Sequence, residues 1–318
     1  MLPMQAAAIA RRARGSIPAR TCPAPIVATV PSIRFPARSY CHAIRCIASY
    51  AGSRDDTMST DVSGETARSR LFVHSVEKCF SVLEAFHGVR ALSLQEISER
   101  SGHDKSTCQR MVHTLAQLGY LDQCATTRRY ALADRVLDLS YAFLRHHPLI
   151  ERATPILMDL RRTCDARVDL SLFSQSSLVY ALRLQARAEH YYTNLVGRRI
   201  PLFCSAGGRA VLAVLAEPEA RALVTAEDRR PLTRFTRTGI EDVMTAVAEA
   251  RRDGYAVAAH EVIEDEVVVA VALTDAARRP FGALHVAGEA GRWGDPDEIA
   301  RILPGLMRAA ALVGGAPA

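Results

Sequence analysis

Between residues 74 and 86, apolar side chains recur every three to four positions, so Val76, Cys79, Phe80, Leu83 and Phe86 share one face of a predicted amphipathic helix. Ser93-Leu-Gln-Glu96 then has the form of a capping box, in which the serine hydroxyl takes the amide of Glu96 and the glutamate reaches back. It predicts a helix over 93–100, buried through Leu94 and Ile97. Ser101-Gly102 stops it, because glycine enters the left-handed region without penalty. A third helix is predicted over 105–118, with Cys108, Met111, Val112, Leu115 and Leu118 as its apolar stripe and Gly119 closing it. Residues 120–132 read as two short strands around a polar turn at 125–127.

Two short helices joined by a tight glycine turn form a helix-turn-helix, although any small three-helix bundle fits the spacing equally well. The outward face of the third helix separates the two. It carries Lys105, Ser106, Gln109, Arg110 and His113, with Thr107 and Thr114 flanking, rather than the Glu/Lys pairs of an ordinary solvated helix. In a major groove such groups hydrogen-bond base edges and phosphates. Arg128 and Arg129, at the tip of the following hairpin, are placed to meet the phosphate backbone as a wing.

Farther along, 133–147 repeats a helical period through Val136, Leu139 and Phe143 and ends at Pro148. Adjacent His146 and His147 point about 100° apart on a helix, which fits a cation-favouring C-terminus better than a metal site. Strands are predicted at 167–173, 178–184, 255–261, 266–274 and 281–286, with a turn at 174–177. Helices are predicted at 149–164, 207–216, 239–253 and 295–312. Strand pairs split by helices give an α+β domain on an antiparallel sheet.

Residues 71–315 resemble the IclR family of bacterial transcriptional regulators. The first domain carries the likeness through Ser75-Val-Glu-Lys-Cys-Phe-Ser-Val-Leu83, Leu94-Gln-Glu-Ile-Ser-Glu-Arg-Ser-Gly102, Lys105-Ser-Thr-Cys-Gln-Arg110 and Leu115-Ala-Gln-Leu-Gly-Tyr120. The second carries it through the loop Gly197 to Ala213, through Ala250-Arg-Arg-Asp-Gly-Tyr255 and through Glu261. The resemblance implies a winged helix-turn-helix at 71–132, a linker helix at 133–147 and a GAF-like α/β effector domain with an antiparallel sheet at 148–315. Asp104 stands where the family usually has Pro, and either suits a first helical turn. Glu264-Asp-Glu266 and Ala272 replace a usual Gly and Pro, in a region where family members often wall the ligand pocket.

The chemistry of the loop before the second domain's helix is concrete. Cys204-Ser-Ala-Gly-Gly208 leads straight into a helix, so free backbone N–H groups and the positive helix end face whatever binds there. A small carboxylate fits, with Ser205 as an added hydroxyl donor. The expected effector set is Cys204, Ser205, Ala206, Gly207, His260 and Val268. A glycine turn that merely lets the helix pack close to the sheet is the structural alternative. His190 and Tyr191-Tyr192 fit an aromatic-acid pocket and core packing equally. An enzyme using Cys204 or Ser205 as nucleophile would need a partner base, and no Gly-x-Ser-x-Gly elbow or placed His–acid pair is present. No enzymatic role and no cofactor are therefore expected.

Composition adds one correction. The 318 residues carry a formal charge of +6, which is tempting support for nucleic-acid binding. All of it lies in residues 1–57, where eight Arg precede the first acid at Asp55. Residues 1–66, rich in Arg and Pro and without lasting periodicity, are expected to be a disordered extension, with translation starting at Met58. An organelle transit peptide or a DNA-contacting arm are the alternatives. The eight cysteines form no zinc pattern, which leaves a metal-sensing regulator as a weak alternative. No stretch approaches the roughly 18 apolar residues of a membrane span. The expectation is a cytoplasmic homodimer or homotetramer that binds a partly palindromic double-stranded operator and responds to a small organic or aromatic acid.

Overall fold

A computed structural model describes residues 71–186 and 196–315. The first three helices are α1 (His74–Glu84), α2 (Leu94–Ser101) and α3 (Lys105–Gln117). They close on a small core of Val82, Phe86, Ile97, Val112, Leu115 and Leu121. Both halves of the capping box form: Glu96 N donates to Ser93 Oγ at 3.3 Å, and Ser93 N donates to Glu96 Oε2 at 2.7 Å. Gly102 ends α2 at φ +73°, a conformation that disfavours any side chain with a Cβ. The wing strands β1 (Leu121–Gln123) and β2 (Tyr130–Leu132) pair antiparallel. Leu92 bridges to Tyr130, which ties the segment before α2 to the wing.

The linker helix α4 (Val136–His146) starts three residues later than the periodicity predicts. His147 bends the chain at φ −82°, ψ 112°, and Pro148 opens α5 (Pro148–Cys164), where a missing N–H is harmless. His147 also stacks edge-on with Phe143, their ring centroids 5.0 Å apart.

The rest is a six-stranded antiparallel sheet in the order β5-β4-β3-β8-β7-β6. Its strands are β3 (Arg167–Ser174), β4 (Ser177–Leu184), β5 (Arg199–Ile200), β6 (Ala256–Ala259), β7 (Glu266–Thr274) and β8 (Pro280–Glu289). Helix α5 and the long α10 (Pro296–Gly314) cover one face, meeting Val168, Leu170, Val267, Val269, Leu284 and Val286. The other face meets α6 (Ala206–Val214), which packs with α7 (Glu217–Ala226) and α8 (Ile240–Asp253). The α+β class with an antiparallel sheet thus holds.

Several predicted boundaries change, and helix α7 and two short elements were not anticipated. Strand 255–261 contracts to β6, β8 extends to Glu289, and the helix predicted at 207–216 gives way to α7 after Val214. Strand β5 has two residues and α9 (Ala290–Trp293) has four, too few to show a period. Alternation matters most for function. In β3, Val168 and Leu170 point to the α5/α10 layer, so Arg167, Asp169 and Ser171 point to the α6 side, where the register sets them near His285 of β8.

Candidate DNA-reading surface and effector cavity

Helix α3 exposes Lys105, Ser106, Gln109, Arg110 and His113, and its N-terminal end is capped by Asp104. The cap constrains two of the predicted readers. Asp104 accepts from Thr107 N at 2.9 Å, from Thr107 Oγ1 at 2.7 Å and from Ser106 Oγ at 2.8 Å. These bonds, the Thr107 amide foremost, hold its carboxyl well below the usual range. The hydroxyl protons of Ser106 and Thr107 are therefore committed, and only their lone pairs remain for DNA.

The two wing arginines part company. Arg128 sits exposed in the tight turn, at φ +56°, with its N–H on Cys124 O. Arg129, expected beside it at the tip, turns inward instead. Its Nη2 donates to Glu96 Oε2 at 2.7 Å and to Ala91 O at 3.0 Å. The left-handed residue ahead of it redirects the chain, so consecutive side chains leave the hairpin on different sides. Arg129 clamps the wing to the capped end of α2. Arg100 has a comparable structural role, donating to Ala85 O at 2.6 Å and His87 O at 3.0 Å.

A cavity of roughly 440 Å³, its open mouth included, lies between the sheet and the start of α6. Of the predicted effector set, Ser205, Ala206 and Val268 line it. Ser205 is already engaged as the N-cap: its hydroxyl donates to Pro201 O and accepts from Gly208 N at 3.1 Å. Cys204 is not at the wall. It is fully buried in the core with Leu202, Phe203 and Val211, and burial pushes its thiol well above the ordinary range. A nucleophile needs the opposite, an accessible thiol of lowered pKa. His260 does not line the cavity either; it stacks on Phe235 with centroids 5.0 Å apart. Gly207 is also absent from the wall, for a packing reason: a Cβ there would fall 2.1 Å from His285 Cε1. Gly208 is equally tight, at 2.4 Å from Leu202 Cα. The glycine pair thus brings α6 close to both the sheet and the preceding loop. Ahead of the first α6 hydrogen bond, the N–H groups of Ala206 and Gly207 have no intrahelical acceptor.

The polar wall comes from strands. Arg167, 6% exposed at its side chain, donates Nε to Asp169 Oδ2 at 2.9 Å and Nη1 to Glu266 Oε1 at 2.6 Å. His285 is buried, hydrogen-bonded to Ser171 Oγ at 2.7 Å and tilted against Tyr180. Burial, and then the Arg167 cation, lower its pKa to about 3, so it is neutral at physiological pH. Arg198 completes the wall. Glu261, which the sequence marked, does a different job. It takes both Nη atoms of Arg209 at 2.6 Å, with both residues buried, and so fastens the 260–266 turn to α6.

Arg167, Tyr180 and His285 were missed by sequence reasoning. Their signal was available: polar residues at alternate positions of otherwise apolar strands mark a shared polar face. His190 and Tyr191-Tyr192, like residues 1–66, lie outside the described residues. Among the described residues no group of three His, Cys, Asp or Glu is placed to hold a metal ion. No helix among them is long and apolar enough to cross a membrane.

Comparison with known proteins agrees with this architecture. Residues 75–124 match the IclR helix-turn-helix domain, and residues 141–313 match the bacterial transcriptional regulator IclR C-terminal domain. The Pca regulon regulatory protein of Pseudomonas putida is 27% identical over 240 residues, covering 75% of this chain and 82% of that protein. A crystal structure of an IclR family transcriptional regulator from Brucella abortus superposes with a TM-score of 0.66 at 27% identity, covering 81% of this chain and 98% of that one. An IclR homolog from Microbacterium hydrocarbonoxydans, crystallised with 4-hydroxybenzoate, shares the fold at TM-score 0.61 and 20% identity, covering 76% and 97%. With domain models matching from the helix-turn-helix to the end of α10, the chain belongs to the IclR family of bacterial transcriptional regulators.

Proposed function

We propose that this DNA-binding regulator is a cytoplasmic homodimer, or a pair of dimers, whose hold on a partly palindromic operator is set by a small carboxylic acid in the effector cavity. The observation that carries the ligand class is the company around Arg167. A buried guanidinium and the positive end of α6 meet at one cavity beside a neutral His285, and the two positive groups favour an anion there. An aromatic acid is the first candidate, because Tyr180, Ile200 and Val268 supply an apolar body to the same wall and because the Microbacterium homolog was crystallised with 4-hydroxybenzoate.

Pairing is supported by apolar side chains left outside the first domain's core. Phe72 and Val73 just ahead of α1 and Val76 and Phe80 on it are exposed, as are Leu137, Leu139, Tyr141 and Phe143 on the linker helix. Such faces mark an interaction surface. Two copies would then present their α3 helices to successive major grooves, Lys105, Gln109, Arg110 and His113 reading bases and phosphates and Arg128 the backbone beside the groove. The cavity works by binding: Cys204 is buried, and the imidazole of His285 serves Ser171, not Ser205.

A thermal-shift screen of carboxylic acids, followed by a gel shift of the DNA upstream of the chain's own gene with and without each hit, tests both halves. The expected result is a hit that raises the melting temperature and changes operator affinity. In the same gel shift, Arg110→Ala should weaken specific binding by about 1–3 kcal/mol if the side chain reads a base. Absence of any specific shift at physiological salt overturns the proposal.

A further inference from the structure

The acidic run Glu264-Asp265-Glu266, anomalous in the sequence, ends inside the effector cavity. Glu266 and Arg167 both line it, on strands β7 and β3 that lie on either side of β8. Across β8 the register puts Arg167 opposite Ala287 and Val268 opposite the same residue, with Glu266 one pleat further along. Ala287 is too small to stand between them, so Arg167 Nη1 reaches Glu266 Oε1 at 2.6 Å. Arg167 already has a buried counter-ion in Asp169, at 2.9 Å. Asp169 is shared with Arg183, whose Nη1 lies 3.9 Å from the same Oδ2, and Glu266 is thus a second carboxylate on Arg167 itself. It is also pressed from behind: its cross-strand partner is Glu289, a like charge opposite it in the sheet.

An effector carboxylate paired with Arg167, the more buried of the two arginines lining the cavity, would need the same guanidinium edge, since arginine recognises carboxylates through its N–H fork. Two carboxylates competing for it repel. The geometry points to Glu266 as a built-in competitor for Arg167, an internal anion that holds the cavity in the free protein and that an effector's carboxylate must displace. The inference rests on the carboxylate reading of the cavity. It adds a threshold, since ligand affinity is set against the internal pair, and a route outward. Glu266 O accepts from His260 N at 2.7 Å, and Asp265 O accepts from Ala290 N at 2.7 Å, so the displaced residue belongs to a turn bonded to β6 and to α9.

The test uses the full-length chain and calorimetric titration with two acids and their neutral amides: 4-hydroxybenzoate against 4-hydroxybenzamide, and acetate against acetamide. Glu266→Gln keeps the side chain's shape and removes its charge. The expected result is roughly tenfold tighter binding of at least one acid, with its amide unchanged within about twofold. Wild-type binding of an acid with no gain in the variant, or with a loss, overturns the competitor role and makes Glu266 a support for Arg167. An equal gain for acid and amide overturns it too, as the mark of an enlarged cavity. Failure of both proteins to bind either acid overturns the carboxylate reading itself, and the competitor with it.

Discussion

Arg129 Nη2 lies 2.7 Å from Glu96 Oε2, the same carboxylate oxygen that receives the backbone N–H of Ser93. One acid therefore closes the cap of α2 and anchors the wing, and its pKa is held down to about 2 by the Ser93 amide first and Arg129 next. Neighbouring arginines are thereby assigned different work. Arg128→Ala should lower DNA affinity on all sequences alike and reduce the slope of log affinity against log salt by about one, the signature of one lost phosphate contact. Arg129→Met should leave that slope nearly unchanged and lower the melting temperature instead. Ser93→Ala should destabilise by about 1 kcal/mol, the usual worth of an N-cap. Salt titrations of the two arginine variants decide the assignment; an equal change of slope in both would refute it.

Gly207 is held glycine by an imidazole. A Cβ at this position would lie 2.1 Å from His285 Cε1 and 2.7 Å from its Nε2. Gly207→Ala should therefore destabilise by about 1–3 kcal/mol through overpacking and impair response to any cavity ligand. Removing the obstacle should restore part of the loss. The double variant Gly207→Ala, His285→Ala is expected to be more stable than the sum of the two single changes predicts, by a coupling measurable in denaturant melts. Strict additivity would place the strain elsewhere.

Much of this architecture was legible because its signals are local. The box Ser93 to Glu96, the stop at Gly102, the α3 stripe and the apolar-rich runs of β3, β4 and β7 each depend on residues a few positions apart, and the structure forms all of them. What escaped depends on direction and distance. The inward turn of Arg129 follows from the positive φ of Arg128, which no periodicity reveals. The cavity wall joins Arg167, Glu266 and His285 from three strands, so it exists only once the strand order is known. The Cys204-Ser-Ala-Gly-Gly208 loop drew attention for its glycines, yet its cysteine belongs to the core and both its glycines to close packing.

Cys124 stands apart from the other described thiols. It lies in the wing turn, where hydrogen bonds from the Thr126 and then the Thr127 side chains lower its pKa to about 6. Cys79 and Cys164 are shifted upward by burial. At pH 7 the Cys124 thiolate should therefore predominate, and iodoacetamide should label its peptide before those of Cys79 and Cys164. The advantage should fade as pH falls below about 6. Peptide mass spectrometry over a short time course checks it, and Thr126→Ala should shift the onset of labelling to higher pH. Labelling of Cys124 that begins only above pH 8 would show that the turn does not stabilise its thiolate.

Glu227 and His285 load the pH dependence of stability in opposite senses. Glu227 accepts from Leu202 N at 3.0 Å and Phe203 N at 3.2 Å, holding the loop that leads to α6. Burial outweighs those bonds and raises its pKa from 4.5 to about 7. The native state thus binds this proton more tightly than the unfolded chain, so the contribution is complete below about 4.5 and disappears as pH rises through 7. At about 1.4 kcal/mol per unit, the full excursion is about 3 kcal/mol. His285 behaves conversely: with its pKa lowered from 6.5 to about 3, its neutral form favours the fold above 6.5, and that stability is lost as pH falls. The wild-type profile between pH 4.5 and 8 should consequently be flatter than either group alone would make it. Glu227→Gln should uncover the histidine, giving a protein that loses stability on acidification from pH 7 to 5 more steeply than the wild type. His285→Asn should uncover the glutamate, giving one that gains stability over the same interval. Urea melts at half-unit steps of pH resolve the two slopes, and parallel profiles for wild type and Glu227→Gln would show that this carboxyl is ionised at neutral pH in the folded protein.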